Sequence, residues 1–405
     1  MLFTGIDWSD QTLGYHLQDH DETVLAQGKV KISVEGLAEM FVQLEKHGQP
    51  EEISIAAETS HGVWIQTLLD RGYQVYPVNP NSVDKFRKAL NSQGDKTDKI
   101  DRRVIAKFLS TFHKGLTPLK PDAEDIIILR TICQHRLRLT KEHTAKINEL
   151  RCLLKGHCPV VLELFGCLNS RIALAFLQDY PMQDQVLALS EKELRVWLQD
   201  HSYPSMRRFE KMTEILKQPA LRVAEHLQKA NAPLICYVAR SLQLLNEEIA
   251  ERDKQINDHL DEMPESDWIR SLPSVAKVLG PALLACLGRD PKRFETTGKA
   301  QAFMGTAPVT KQSGKSHSVQ FRFGCWKFAR RTMHLFADHS RRQCYWAQEF
   351  YDKQRQTGHG HHAALRSLAH KWLKILLAMK RTGSHYNETI FLGSKRKYLL
   401  NEKAY

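Results

Sequence analysis

A chain of 405 residues with 42% hydrophobic content is long enough for two or three domains and a sizeable core. No run approaches the ~20 apolar residues of a membrane span. Asp7 and Asp10 also stand where a secretory signal would need basic and then apolar residues, so a cytoplasmic address is expected. The net charge of +12 is unevenly spread: residues 299–405 hold 20 Lys and Arg against five Asp and Glu, leaving the first 298 residues at −3. A basic C-terminal quarter points to a nucleic-acid partner.

The first 115 residues alternate strand and helix. Leu2–Trp8 reads as a central strand, with 14–17 and 24–32 as further strands of a meander. Residues 34–45 read as an amphipathic helix turning Leu37, Met40, Phe41 and Leu44 inward. A second unit follows: strand 53–57, a turn at Ser60-His61-Gly62, helix 63–70, and strand 73–78 closed by Asn79-Pro80-Asn81. These elements predict an α/β layer with a mixed sheet.

Beyond Pro121 the pattern turns to long helices. Ile126, Leu129, Cys133, Leu137, Thr140, Thr144, Ile147, Arg151 and Leu154 keep a three/four spacing, interrupted near Gly156 and Pro159. Leu234, Val238, Leu242, Leu245, Ile249, Ile256 and Leu260 repeat it, so the two runs are expected to pair as a coiled coil or helical hairpin. Residues 160–232, punctuated by Pro181, Pro204 and Pro219, read as a helical insertion. The expected domains are 1–115, 116–265 and 266–405, the last being basic and mainly helical.

Four acids stand out by order and setting. Asp7 ends one apolar strand and Glu58 ends another, while Asp98 and Asp101 lie three apart on one helix face. Carboxylates held at a sheet edge beside such a pair have the arrangement of an RNase H-type metal site, although Asp98 would also serve as an ordinary helix cap. Asp95, three before Asp98, competes for the same register. Farther on, Gly305–Ser316 reads as a turn-rich loop after a helix at 297–304. In it Ser313, followed by Gly314 and flanked by Lys311 and Lys315, presents a hydroxyl beside two cations, as attack on a phosphate requires. Arg322, Lys327, Arg330, Arg331, Arg341 and Arg342 then alternate with Phe321, Phe323, Trp326, Phe328, Tyr345 and Trp346, which suits phosphates beside bases. Three further features read as structural. Gly358-His359-Gly360-His361-His362 is expected to be an exposed loop, the scattered cysteines to be reduced and mostly buried, and Lys395-Arg396-Lys397 to be a phosphate-seeking tail.

These blocks carry a resemblance. Gly5-Ile6-Asp7 and Glu58-Thr59 resemble two blocks of insertion-sequence family 110, and the run from Lys96-Thr97-Asp98 through Asp101 to Ala106 resembles its K-T-D-x-x-D-A-x-x-I/L-A pattern. Gly305, Pro308, Ser313 and Gly314 resemble its downstream G-L-x-P-x-x-x-x-S-G. Ser274-Val275-Ala276 stands where the family has Gly-Ile-Gly, Arg102 replaces a small residue, and residues 160–232 exceed the usual spacer. The resemblance implies a RuvC-like fold and a DNA transposase or site-specific recombinase. In that enzyme Asp7, Glu58, Asp98 and Asp101 would hold Mg²⁺, or Mn²⁺ in its place, and Ser313 would form a covalent phosphoserine. It further implies donor and target DNA, a non-coding guide RNA, and a homo-oligomer built from dimers towards a tetramer in the bacterial nucleoid. Two other readings fit the residues alone: a metal-dependent junction nuclease using water, and a non-catalytic nucleic-acid scaffold.

Overall fold

The computed structural model describes residues 1–60, 62–90, 97–203, 206–294, 296–314 and 316–389. They form two compact units, 1–121 and 122 onward.

In the first unit, β1 (Leu2–Trp8), β2 (Thr12–Gln18) and β3 (Val24–Lys31) form an antiparallel meander, and α1 (Val34–Glu45) follows. A short 3-10 turn leads into β4 (Ile53–Ala57), then come α2 (Val63–Asp70) and β5 (Gln74–Pro77). β4 pairs parallel to β1 and β5 parallel to β4, giving a mixed five-stranded sheet in the order β3-β2-β1-β4-β5. Side chains alternate across the sheet. Ile6, Leu13, Leu17, Ile53, Ile55 and Val75 pack on one face with α1 and α2, whereas Phe3, Ala56 and Tyr76 pack on the other with Val104, Ile105 and Phe108 of a later helix.

The structure departs from expectation after β5. Asn79-Pro80-Asn81 does not simply close a strand, because Pro80 opens α3 (Pro80–Leu90). Proline suits a helix's first position, where its missing N–H leaves no bond unmade. α4 (Asp98–Phe112) follows and lies directly on β1: a Cβ built on Gly5 would sit 2.1 Å from the Arg102 carbonyl oxygen and 2.4 Å from the Ala106 amide nitrogen. Gly5 is therefore what allows α4 to approach the strand so closely.

The second unit is organised by α5 (Glu124–His157) and α11 (Glu225–Asp261). They run antiparallel, as the Arg136–Asp253 ion pair and the contact between His259 Nε2 and the Asp125 carbonyl (2.8 Å) fix. The pair is thus a helical hairpin. Its two ends belong to different cores. At one end Leu150, Leu154, Ile235, Val238 and Leu242 pack with the helices of the insertion, namely α6 (Val160–Leu164), α7 (Arg171–Asp179), α8 (Gln183–Leu187), α9 (Glu191–Asp200) and α10 (Met206–Leu216). At the other end Ile126, Leu129, Cys133, Ile256 and Leu260 pack with the C-terminal helices.

Those helices are α12 (Ser266–Arg270), α13 (Ala276–Leu287), α14 (Thr297–Phe303), α15 (Lys327–Ser340), α16 (Tyr345–Gln356) and α17 (His361–Thr382), with Trp346, Trp372 and Phe336 among the most deeply buried side chains. Between α12 and α13, Ser274 takes a left-handed φ of 58° where the resembling pattern has glycine. Its amide donates to Gln343 Oε1 at 2.8 Å and its hydroxyl to the His339 carbonyl at 3.0 Å, so two hydrogen bonds offset the strained backbone.

Residues 305–316 depart from expectation. They are not a turn-rich loop throughout: β6 (Val309–Ser313) and β7 (Ser316–Gln320) form an antiparallel hairpin. Apart from Val309 and Val319 its strand residues are polar, and β6 is largely exposed, so no alternation of hydrophobic residues announces it. The cysteine expectation needs adjustment too, since Cys133, Cys158, Cys286 and Cys344 are buried while Cys152 and Cys167 are exposed. His361 and His362 belong to the first turn of α17 rather than to a loop. No helix among the described residues is long and apolar enough to cross a membrane.

Candidate active site

In the first unit, β1 and β4 run parallel with Ile6 opposite Ala57, so Asp7, near the end of β1, and Glu58, just past β4, come to the same edge of the sheet. Asp7 shares the sheet face of Gly5, the face on which α4 lies. α4 brings its first turn over this edge. The Thr97 hydroxyl, not Asp98, caps that helix by accepting from the Ile100 amide, which leaves both Asp98 and Asp101 in the first turn, where the helix dipole favours negative charge.

The electrostatics of Asp7 record the convergence. Partial burial raises its carboxyl above the usual carboxylate range, and the negative charges of Asp98 and Asp101 raise it further. Asp98 meets Lys29 across 3.4 Å, and Asp101 accepts from Arg87 at 3.1 Å while Arg87 also pairs with Asp84. With their oxygens turned to these cations, the described residues contain no preformed cluster of three or more ligands. The donor set is nonetheless all carboxylate oxygen, and Asp7 is destabilised by two like charges, the chemistry that a hard divalent cation relieves. Arg102 is accommodated by small neighbours: its guanidinium lies over Gly14 and donates to the Gly28 carbonyl at 3.2 Å.

In the second unit, Ser313 closes the β6–β7 hairpin. It pairs with Ser316 across a two-residue turn in which Gly314 adopts a left-handed φ of 53°, as such turns demand of their first residue. Ser313 is exposed, and Lys311, two residues earlier, lies on the same face of the strand.

The cations singled out in the sequence divide into three kinds. Arg322 donates to the carbonyls of Ala307 (3.1 Å) and Pro308 (3.3 Å), and Arg330 to the carbonyl of Arg322 (3.2 Å), so both brace the root of the hairpin. Lys311, Lys327 and Arg331 are exposed. Arg341 and Arg342 both pair with Asp338. Among the aromatic residues interleaved with them, Phe323 and Tyr345 are exposed while Trp346 is core. Asp95, Lys315 and the Lys395-Arg396-Lys397 tail lie outside the described residues. Sequence reasoning missed Arg366, His370 and Lys374 of α17, whose four-residue spacing was the available signal.

Comparison with known proteins gives a consistent assignment. A family described as "Transposase", DEDD_Tnp_IS110, matches residues 4–159, and "Transposase IS116/IS110/IS902 family" matches residues 266–352. The chain is 25% identical to the protein named "Mini-circle putative transposase for IS117" of Streptomyces coelicolor over 96% of its length and 95% of that protein's. It is 27% identical to the 44.8 kDa protein of insertion element IS116 from Streptomyces clavuligerus over 94% of each chain. It is also 23% identical to the 42 kDa protein of IS900 from Mycobacterium paratuberculosis, covering 92% of this chain and 93% of that one. The two matched blocks contain the four acids and Ser313 respectively, and the chain belongs to the IS110 family of transposases, enzymes of mobile-element DNA transposition.

Proposed function

We propose that this transposase is a serine-dependent, site-specific DNA recombinase with an RNase H-like, RuvC-type first unit, cutting and rejoining DNA through a covalent phosphoserine. The observation that carries the reading is the convergence of Asp7, Glu58 and the first turn of α4 on one sheet edge. Asp7, Glu58, Asp98 and Asp101 would hold Mg²⁺ or Mn²⁺, which when bound would orient the scissile phosphate and offset charge on its oxygens.

This chain's own residues supply the rest. Lys29 and Arg87 hold Asp98 and Asp101 before loading and must release them. Ser313 loses its proton as its Oγ attacks phosphorus. The bond from phosphorus to one deoxyribose oxygen breaks, and that oxygen takes up a proton and leaves as a hydroxyl. One phosphodiester has become a serine phosphodiester, so the reverse attack by a hydroxyl of another strand rejoins DNA without an outside energy source. Lys311, on the serine's face of the strand, offsets charge on the phosphate. Lys315, Arg322, Lys327, Arg330 and Arg331 complete the proposed nucleic-acid contacts, Arg322 and Arg330 by bracing the hairpin. In this reading a homo-oligomer, a dimer assembling to a tetramer, brings the two parts of the site together, and a non-coding guide RNA selects donor and target. Domain limits at 115 and 265 are part of the same proposal.

The test is a denaturing gel of the full chain with nicked element-end DNA and Mg²⁺. A DNA-linked band mapping to Ser313, lost in Ser313→Ala, is expected; strand cleavage without any adduct would favour the junction nuclease. Sequencing RNA that copurifies with the chain tests the guide.

A further inference from the structure

A cavity of about 500 Å³ lies at the root of the β6–β7 hairpin, walled by Thr306, Pro308 and Val319 on one side and by α16 and α17 on the other. That volume is in the range of small-ligand pockets. α17 presents Arg366, His370 and Lys374 towards it at i, i+4 and i+8, a basic stripe about 12 Å long beside the helix's buried face. Phe350 and Gln354 of α16 face the stripe.

Arg366 has no use within the chain that explains it. It is half-buried, yet among the described residues it has no carboxylate partner and no hydrogen bond, in contrast to Arg322, Arg330, Arg341 and Arg342. Its guanidinium lies 5.3 Å from the centre of the Phe321 ring, which Arg330 shares at 4.5 Å, and it also lines a second cavity with His334 and His362. Burial alone lowers its basicity. A half-buried cation among cations costs free energy unless an anion arrives. His370 Nδ1 is likewise buried without a partner, and the Lys374 side chain is exposed.

We propose that this cavity receives one unstacked nucleotide of the DNA strand that Ser313 attacks, with phosphates on Arg366 and Lys374, the base against Phe350, and its polar edge towards Gln354 and His370. Val319 pairs with Thr310, so it lies on the hairpin face opposite Lys311 and Ser313, about 10 Å along the ribbon from the serine. The pocketed nucleotide is therefore a neighbour of the scissile phosphate, not the phosphate itself, and holding it fixes the register in which the strand crosses the hairpin. DNA is the occupant because the hairpin wall carries the serine of the recombinase reading, on which this inference rests.

The test is equilibrium binding of a fluorescein-labelled 20-nucleotide single-stranded DNA to the full chain across a salt series, with each variant's melting temperature as the folding control. Arg366→Ala and Lys374→Ala should each weaken binding about tenfold and flatten the logarithmic salt slope by about 0.7. Phe350→Leu keeps apolar volume but loses the ring, and should weaken binding several-fold at unchanged slope. Arg366→Lys should recover most of the loss. Wild-type affinity in both Arg366→Ala and Lys374→Ala, or at least tenfold tighter binding of RNA of the same sequence, would overturn the proposal; wild-type affinity in Phe350→Leu would remove the base from the cavity. Failure of the recombinase reading is separately visible as an absent adduct with oligonucleotide binding intact.

Discussion

Replacing Gly5 by alanine tests whether the acidic site depends on how closely α4 lies on β1. The added Cβ would sit 2.1 Å from the Arg102 carbonyl oxygen and 2.4 Å from the Ala106 amide nitrogen, roughly 1.3 Å inside ordinary contact for the closer atom. Both are backbone atoms, so no rotamer relieves the clash and the helix must retreat. Overpacking of this kind costs about 1–3 kcal/mol, and the upper end applies where neither partner is a flexible side chain. For a unit of 121 residues that corresponds to a fall of about 10 °C in melting temperature. A retreat on the order of 1 Å also carries Asp98 and Asp101 away from Asp7 and Glu58, which is enough to cost roughly 100-fold in rate. The assay pairs a circular-dichroism melt with Mg²⁺-dependent DNA cleavage. Gly115→Ala is the internal control: nothing lies within 4 Å of its Cβ, and its melt should stay within a degree or two of wild type. A Gly5→Ala protein that melts within about 2 °C of wild type and cleaves normally would refute the reasoning.

Asp7→Ala, Glu58→Ala, Asp98→Ala and Asp101→Ala should each abolish recombination while leaving the fold intact, with Asn in place of Asp nearly as damaging; an active Asp101→Asn would remove that residue from the site. Lys327→Ala and Arg331→Ala, which alter exposed cations, should each flatten the salt dependence of duplex binding by about 0.9, and unchanged slopes would place the DNA elsewhere. Burial and nearby Arg366 and Arg330 lower the His334 imidazole to about 4. The unfolded chain therefore binds the extra proton between about pH 6.5 and 4, and stability contributed by the neutral ring is lost as pH falls through that window. Melting curves from pH 7 to 4.5 should show this acid sensitivity, and His334→Gln should reduce it. Ser274→Val should destabilise by about 1–2 kcal/mol, because a β-branched side chain suits the left-handed backbone poorly and loses the bond to His339; a melt unchanged from wild type would show that the turn relaxes.

Much of the first unit was readable because its strands and helices carry their burial pattern in the sequence. Ile53–Ala57 is apolar except for Ser54 and buried throughout, and Leu37, Met40, Phe41 and Leu44 recur at helical spacing and face the core. The acids at Asp7 and Glu58 were visible because each follows such a strand. α3 was missed because Pro80, read as punctuation, is also a good first residue of a helix. The β6–β7 hairpin was missed because Thr310, Lys311, Gln312 and Ser313 have no apolar face to alternate, so only the backbone pairing, from Val309–Gln320 to Ser313–Ser316, reveals it. The division of labour among arginines was out of reach for a different reason. Nothing in the spacing of Arg322 and Arg330 says that their guanidinium groups turn inward to backbone carbonyls while Lys327 and Arg331 stay in solvent.

The antiparallel pairing of α5 and α11 has a consequence for engineering. The chain leaves the pair at His157 and returns to it near Asn231, and these two side chains approach to 3.5 Å. Whatever is spliced between two such points adds little loop-closure entropy, and a compact lobe there is thermodynamically separable from the rest. The stretch between them is thus a natural place to shorten the chain or to graft a foreign domain. A short helix-to-helix linker could replace α6–α10 without altering the opposite end of the hairpin, where Ile126, Leu129, Ile256 and Leu260 hold the C-terminal helices. Such a graft would leave Leu150, Leu154, Ile235 and Val238 uncovered, so those four positions must become polar in the same step, or the trimmed chain will associate through them.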